Sequence, residues 1–182
     1  MKTYSEPVLV EEYLDGREFT VSVIGNYNNG SKPLVLPIIE FMFDKVPEGK
    51  PKINVFHPDE PVVEKLKNMG VDTSNLETKS ESSAVCPARI DRNMESQIRR
   101  MALKAFKALD CRDWCRMEIR QDKDGKFNVI ELNPIAGISP DFLLPFSAET
   151  YGWSYEQLIC NILDSAMKRY NLQNNGHMKK AG

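Results

Sequence analysis

The sequence has no long apolar run and no block of positive charge. Its 182 residues include 24 Lys and Arg against 26 Asp and Glu, for a formal net charge of -2. Because a nucleic-acid-binding surface needs clustered basic residues, we do not expect nucleic acid as a partner. Every apolar run is shorter than a bilayer span, and Met1–Tyr4 opens without the apolar core of a signal peptide. We therefore expect no membrane association and a cytoplasmic location.

Cysteine and histidine are too few and too scattered for a zinc site. The two histidines are His57 and His177, and Cys111 and Cys115 are the only closely spaced cysteines. A structural zinc site usually contains a C-x2-C pair or its histidine equivalent, and neither is present. We therefore expect all four cysteines to be buried free thiols.

The composition favours one folded domain. With 41% hydrophobic residues, a chain of 182 residues can bury one sizeable core. We assign residues 1–170 to this domain and residues 171–182 to a flexible tail. Residues 44–83 are polar and rich in Pro, Gly, Lys and Glu, which predicts a long lid-like excursion within the domain.

Strand patterns dominate the first part of the chain. Pro7–Val10 and Phe19–Ile24 are rich in β-branched residues, and the turn residues Tyr13–Gly16 lie between them. A further strand is predicted at Leu34–Phe43.

Two helices are predicted from apolar residues at helical spacing. The first runs from Asn93 to Leu109, with Asp91 or Asn93 as its N-cap. The second follows a Ser154-x-x-Gln157 capping box and extends to Tyr170.

Between these helices lies a predicted β-hairpin. Asp113–Gln121 alternates between polar and apolar residues, Asp122–Gly125 is a turn sequence, and Phe127–Asn133 is the returning strand. With Lys123 and Asp124 at the centre of the turn, antiparallel pairing predicts Met117 opposite Ile130, Arg116 opposite Glu131 and Glu118 opposite Val129. This register predicts that one face is apolar and packs against the helices. It comprises Cys115, Met117, Ile119, Ile130 and Leu132.

The other face of the hairpin gathers charged and amide side chains. Arg116, Glu118, Glu131 and Asn133 share it, because residues two apart in a strand point to the same side. Two carboxylates and an amide are hard oxygen ligands that suit magnesium bound to phosphate. The alternative is a solvated polar face with an Arg–Glu pair across the strands. The Pro- and Gly-containing loop that follows Asn133 favours the metal site, since its backbone N–H groups can bind an anion.

Two separated motifs resemble one enzyme family. Asp110–Glu118, Asp124–Gly125, Glu131–Pro134 and Gly137 resemble the C-terminal half of ATP-grasp ligases, closest to the D-alanine–D-alanine ligase branch. Val8–Phe19 resembles the linker of the same family. The resemblance covers most of the chain in the right order. It implies an α+β fold, in which helices back an antiparallel sheet.

The resemblance also implies a function and a set of site residues. The enzymes join a carboxylate to an amine through an acyl phosphate, with release of ADP and phosphate, and act on small amino-acid-like substrates. The resemblance implies that this chain binds ATP and Mg²⁺, and that Mn²⁺ can replace Mg²⁺. In this chain the linker residues Glu11, Glu12, Tyr13 and Leu14 would border adenine, and Glu18 would bind the ribose. The metal ligands would be Glu118, Glu131 and Asn133, and the oxyanion would be bound by Arg116 and the Gly137 N–H.

The sequence departs from the family pattern at three places. Lys52–Pro58 lies where the family has a Glu-Ala-Lys motif, Glu118 replaces an aspartate, and Ile138–Leu144 is not the serine-rich acceptor loop. The N-terminal ligase portion is not recognised. We therefore expect weak or no ATP hydrolysis by this chain alone, with an N-terminal ligase portion or a second copy as partner. A non-catalytic binding or assembly module derived from the family is the alternative. Arg120 is expected to be solvated.

Overall fold

The computed structural model describes residues 8–27, 31–44, 46–53, 68, 70 and 83–172. Over these residues the chain forms a six-stranded sheet and three helices, so the predicted α+β class is confirmed. No helix in the described part is long and apolar enough to cross a membrane. The strands are β1 Glu18–Ile24, β2 Leu34–Val35, β3 Ile39–Met42, β4 Ser83–Val85, β5 Trp114–Gln121 and β6 Phe127–Asn133. The helices are α1 Arg92–Ala108, α2 Leu143–Tyr151 and α3 Tyr155–Arg169.

Strand β1 is the centre of the sheet. The strand order is β4-β3-β1-β5-β6, with the short β2 also paired to β1, and every pairing is antiparallel. Successive side chains of β1 point to opposite faces. We call the side that carries Phe19 the apolar face and the side that carries Thr20 the polar face.

Helix α1 covers the apolar face. Its buried residues Ile98, Ala102 and Phe106 pack against β1 and β5, as predicted from their helical spacing. Asp91 is the N-cap, and its carboxylate accepts a hydrogen bond of 2.8 Å from the Met94 backbone N–H. The core on this side contains Phe19, Val21, Val23, Cys115, Met117, Ile119 and Phe127.

Helices α2 and α3 belong to a second core at one end of the polar face. They pack with Ile24, Leu36 and Trp114, so the expectation that both predicted helices back one apolar face is wrong. The Ser154 capping box of α3 is confirmed. Helix α2 was not predicted, because its N-cap is Phe142, which makes no side-chain capping bond, and Pro145 lies in its first turn.

The predicted register of the hairpin is wrong by one residue next to the turn and by two residues beyond Ile130. Arg116 pairs with Asn133 and Glu118 with Glu131, whereas Ile119 pairs with Val129. One extra residue enters at the turn, where Gly125 has a φ of +78° and Asp122 N–H donates to the Lys126 carbonyl.

The second extra residue is Ile130, which bulges between the pairs of Glu118 and Ile119. Its side chain is 53% exposed and not part of the apolar face as predicted, and Val129 and Phe127 pack against the core in its place.

Other expectations also change. No strand forms at residues 8–10, and the predicted Leu34–Phe43 strand divides around Pro37, which lacks the N–H that a continuous ladder needs. Cys115 is buried, but Cys86 and Cys111 are partly exposed and Cys160 is exposed. Most of the 44–83 excursion, His57, His177 and residues 173–182 lie outside the described residues.

A buried carboxylate fastens α3 to the start of β5. Asp113 has a φ of +62°, and its carboxylate accepts hydrogen bonds from Asn26 Nδ2 at 2.7 Å and Arg169 Nη2 at 2.6 Å. Burial raises the pKa of Asp113, but the hydrogen bonds from Arg169 and Asn26 outweigh it, so the pKa lies below its usual value.

We expect Asp113→Asn to reduce the free energy of unfolding at neutral pH by about 1–2 kcal/mol. Asparagine tolerates the positive φ, so the change isolates the charge. Because the folded-state pKa is lowered, the stabilisation is present above the unfolded pKa and is lost as the pH falls through the folded pKa. Urea unfolding between pH 2 and 7 should therefore show the two proteins converging in acid. Asp110→Asn, at an exposed position whose φ is also positive, is the control, and an equal loss there would contradict the assignment.

Candidate functional site

The polar face brings the predicted metal-ligating residues together. Glu118 on β5 lies directly opposite Glu131 on β6, and Arg116 lies opposite Asn133. On the other side of β5, Thr20 of β1 faces Glu118 and Ser22 faces Arg116. The four residues selected from the sequence therefore share one face, with Thr20 and Ser22 as additional neighbours.

Glu118 is largely buried, with its side chain 13% exposed, and both its carboxylate oxygens accept hydrogen bonds. Thr20 Oγ1 donates to Glu118 Oε2, and Arg116 Nε donates to Glu118 Oε1 at 3.0 Å. Burial nevertheless raises the pKa of Glu118, and the charge of Glu131 raises it further. The negative charge at this position is therefore only partly compensated by the protein.

Glu131 and Asn133 form the solvent-facing side of the same cluster. Asn133 Nδ2 donates to Glu131 Oε1 at 2.8 Å, and the Glu131 side chain is exposed. Within the described ranges, no group of three or more His, Cys, Asp or Glu side chains converges. The donor set is therefore two carboxylates and one amide.

This donor set fits a hard divalent cation. Oxygen ligands suit Mg²⁺, which binds few protein groups and completes its shell with water or phosphate oxygens. Two opposed carboxylates that repel each other are also the arrangement that a cation stabilises. Glu118, Glu131 and Asn133 therefore fit a Mg²⁺ ion, and Glu118 would be the least accessible of the three ligands.

The loop after β6 is held by two aromatic side chains. Trp114 Nε1 donates to the Ala136 carbonyl at 3.0 Å. A Cβ atom added to Gly137 would lie 2.1 Å from Phe142 Cδ2, so the Phe142 ring covers Gly137 and excludes any larger residue there. Trp114 is partly buried, and its hydrogen bond fixes the peptide before Gly137 beside β5.

The linker residues reach the sheet through Gly16 and Tyr13. Gly16 N–H donates to the Gln121 carbonyl at 3.1 Å, and a Cβ on Gly16 would lie 2.5 Å from that oxygen. Tyr13 OH accepts a hydrogen bond of 2.7 Å from the Lys52 backbone N–H. Glu11 and Glu12 are exposed, and Leu14 is half-buried.

Arg120 is buried, so the expectation that it is solvated is wrong. It lies opposite Glu18 in the β1–β5 pairing, and its Nη1 donates to Glu18 Oε2 at 2.7 Å. Its guanidinium carbon lies 5.4 Å from the centre of the Tyr13 ring and 5.5 Å from that of Phe43. The strand alternation Arg116, Glu118, Arg120 placed it on the polar face, but its burial depends on the distant Tyr13 and Phe43.

Comparisons with known proteins agree with this architecture. The family model described as the D-Ala–D-Ala ligase C-terminus matches residues 49–164. The chain belongs to this family. An uncharacterized protein, y4sG, from Sinorhizobium fredii is 31% identical over 167 residues, which cover 92% of this chain and 43% of the relative.

Solved ligases share the fold of this D-Ala–D-Ala ligase C-terminal family member. The D-alanine–D-alanine ligase of Bacillus anthracis gives a TM-score of 0.61 at 22% identity, over 88% of this chain and 42% of the ligase. Its complex with ATP gives 0.58 at 21% identity, over 90% and 41%. The VanG D-Ala:D-Ser ligase of Enterococcus faecalis gives 0.57 at 21% identity, over 85% and 37%. The chain thus spans less than half the length of these relatives.

Glu18 is expected to titrate near neutral pH. Burial raises its pKa to about 7, although Arg120 lowers it and Glu118 raises it further. Since the unfolded carboxyl group loses its proton first, the stability of the folded chain should fall as the pH rises from about 4.5 to about 7. Glu18→Gln should remove this fall from a series of unfolding curves. A carboxyl ¹³C titration with a midpoint near 4 for Glu18 would contradict the assignment.

The contact between Gly137 and Phe142 predicts a paired effect of substitution. Gly137→Ala should destabilise the folded chain by about 1–3 kcal/mol, because the new methyl group overlaps the ring. A Gly137→Ala/Phe142→Ala double variant should show a favourable coupling energy in thermal unfolding. Strictly additive losses would show that the ring does not restrict this position.

Proposed function

We propose that this chain binds ATP with Mg²⁺ on the polar face and forms the C-terminal portion of an ATP-grasp carboxylate–amine ligase. The observation that supports this most directly is the placement of Glu118 opposite Glu131, beside Arg116 and Asn133. The family match and the shared fold with ligases, one of them complexed with ATP, support the same proposal.

The residues of the polar face would each have a defined role. Glu118, Glu131 and Asn133 would hold the metal ion, which when bound supplies positive charge to neutralise the phosphates. The linker backbone at Glu12–Leu14 would border the base, and Glu18 would accept hydrogen bonds from the sugar. With the nucleotide bound in this way, Arg116 would lie near the terminal phosphate.

The reaction that follows has two steps. A substrate carboxylate attacks the terminal phosphorus of ATP, which forms an acyl phosphate and releases ADP. A substrate amine then attacks the acyl carbon, loses a proton and displaces inorganic phosphate, which leaves an amide. Arg116 and the Gly137 N–H would donate to the oxyanion of the second step, where preset donors are most effective. The substrates proposed are small and amino-acid-like.

The proposed partner is an N-terminal ligase portion or a second copy of the chain. The chain covers 41% of the ligase whose complex contains ATP, and the proposed partner would supply the rest of such a ligase. Nucleotide turnover by this chain alone is therefore proposed to be weak or absent.

One observation favours a non-catalytic binding or assembly module as a second candidate. Both carboxylate oxygens of Glu118 already accept hydrogen bonds, from Thr20 and Arg116. A polar face that satisfies its own charges can be stable without a metal ion. The two candidates differ in whether nucleotide binding depends on Mg²⁺ and on Glu131.

Thermal unfolding of the 182-residue chain with ADP and Mg²⁺ tests the proposal. Free ADP at ten times its Kd should stabilise the chain by about 1.4 kcal/mol, a rise in Tm of roughly 4 °C. The rise should require Mg²⁺ and should be lost in Glu131→Gln and Asn133→Ala.

Asp124→Asn is the matched control, because it removes an exposed carboxylate at the opposite end of the same hairpin. The control should keep the full Tm shift. No shift with millimolar ADP in the unaltered chain would overturn ATP binding and leave the assembly module. A shift that survives in Glu131→Gln and Asn133→Ala would show that these residues are not the metal ligands.

A further inference from the structure

Arg120 is a buried cation that the proposed chemistry does not use. It lies on the polar face two residues after Glu118, and its exposed fraction is 8%. Most buried arginines are paired, and Arg120 is paired with Glu18 through the Nη1–Oε2 hydrogen bond of 2.7 Å. Its position therefore connects the sheet to the residues proposed to bind the sugar.

The other donors of Arg120 reach toward the linker. Nη2 donates to the Lys52 carbonyl and lies 3.5 Å from Tyr13 OH. Nε is buried and has no hydrogen-bond partner among the described residues. The guanidinium is thus fixed on one side by Glu18 and by two aromatic rings, while one of its donors is unsatisfied.

Packing alone does not explain a cation at this position. The slot between Tyr13 and Phe43 is aromatic, and a methionine would fill a similar volume without the cost of removing two charges from water. Replacing a buried ion pair by apolar residues of similar volume is often neutral or stabilising. A role in orienting Glu18 for a ligand accounts for the charge.

We propose that Arg120 is a positioning residue that holds Glu18 as an oriented hydrogen-bond acceptor for the sugar of a bound nucleotide, and so selects ribose over deoxyribose. This inference rests on the nucleotide binding proposed above. It adds to that function a residue that determines which nucleotide sugar is preferred.

The chemistry of Glu18 explains the selection. A charge-assisted bond from Arg120 to Oε2 fixes the carboxylate plane and leaves Oε1 to accept a hydrogen bond from a sugar hydroxyl. An ionised carboxylate only accepts hydrogen bonds, so it pairs with a hydroxyl donor and is left unpaired by a deoxyribose ring. Without Arg120, the carboxylate would lose both its orientation and its nearest positive charge.

Calorimetric titration of the whole chain with ADP and with 2′-deoxy-ADP, both with Mg²⁺, tests the inference at about pH 8.5, above the pKa of about 7 of Glu18, where its carboxyl group is ionised. A hydrogen bond to a charged acceptor predicts that the unaltered chain prefers ADP by about tenfold. Arg120→Met should reduce the preference to within about twofold by weakening ADP binding alone. Arg120→Lys, which keeps a donor for Glu18, should retain a preference of about threefold.

Arg100→Met is the matched control, since Arg100 is exposed on α1, the helix that covers the apolar face. It should keep the tenfold preference. A purely structural role for Arg120 would weaken both nucleotides equally in Arg120→Met, and that result would overturn the inference. If Arg120→Met does not fold by circular dichroism, a full tenfold preference in Arg120→Lys would overturn it.

The affinities of the unaltered chain for the two nucleotides distinguish a failure of this inference from a failure of the proposed function. Equal affinity for ADP and 2′-deoxy-ADP would overturn the inference and leave ATP binding intact. No detectable binding of either nucleotide would overturn both.

Discussion

The polar face depends on two extra residues in one hairpin, one in the turn and one at a bulge in β6. A single extra residue in β6 would turn every later side chain to the opposite face, because strand side chains alternate with a period of two. Gly125 at the turn and Ile130 in the strand each add one residue, so the two shifts together restore the original alternation. Glu131 consequently faces Glu118 on the polar face. Between the turn and the bulge, Val129 takes the position in the core that was predicted for Ile130.

On the polar face, Glu118 and Glu18 each accept a hydrogen bond from an arginine of β5. Along β5, Arg116 and Arg120 flank Glu118, and each arginine donates to a different carboxylate. Burial raises the pKa of Glu118 and of Glu18 despite these bonds. The loss of hydration destabilises each ionised carboxylate by more than the neighbouring arginine stabilises it. The polar face is therefore negatively charged at Glu118, where the metal ion is proposed to bind. Arg116 and Arg120 lie on either side of that position.

Local sequence patterns predicted most of the helices and strands. The features that they did not predict depend on contacts between residues far apart in the sequence. Helix α1 and the Ser154 capping box follow from spacing and cap residues that lie within a few positions of each other. The residues of the polar face were selected correctly although their register was wrong, because a two-residue shift preserves alternation. Helix α2 has no cap signal, and the burial of Arg120 depends on Tyr13 and Phe43, which are far away in sequence. No local sequence pattern predicts that Tyr13 and Phe43 pack against Arg120.

The linker motif and the hairpin motif, recognised separately in the sequence, are physically joined. Gly16 approaches the end of β5 so closely that a side chain would overlap the Gln121 carbonyl, and Tyr13 lies against Arg120. Lys52 completes the connection, since its backbone N–H binds Tyr13 and its ammonium group lies 3.3 Å from Asp15. A ligand that displaced Tyr13 or Lys52 would remove partners of Arg120, whose remaining bond is to Glu18. The linker and the sheet are therefore in direct contact, so a change at the linker residues proposed to border the base would alter the acceptor proposed to bind the sugar.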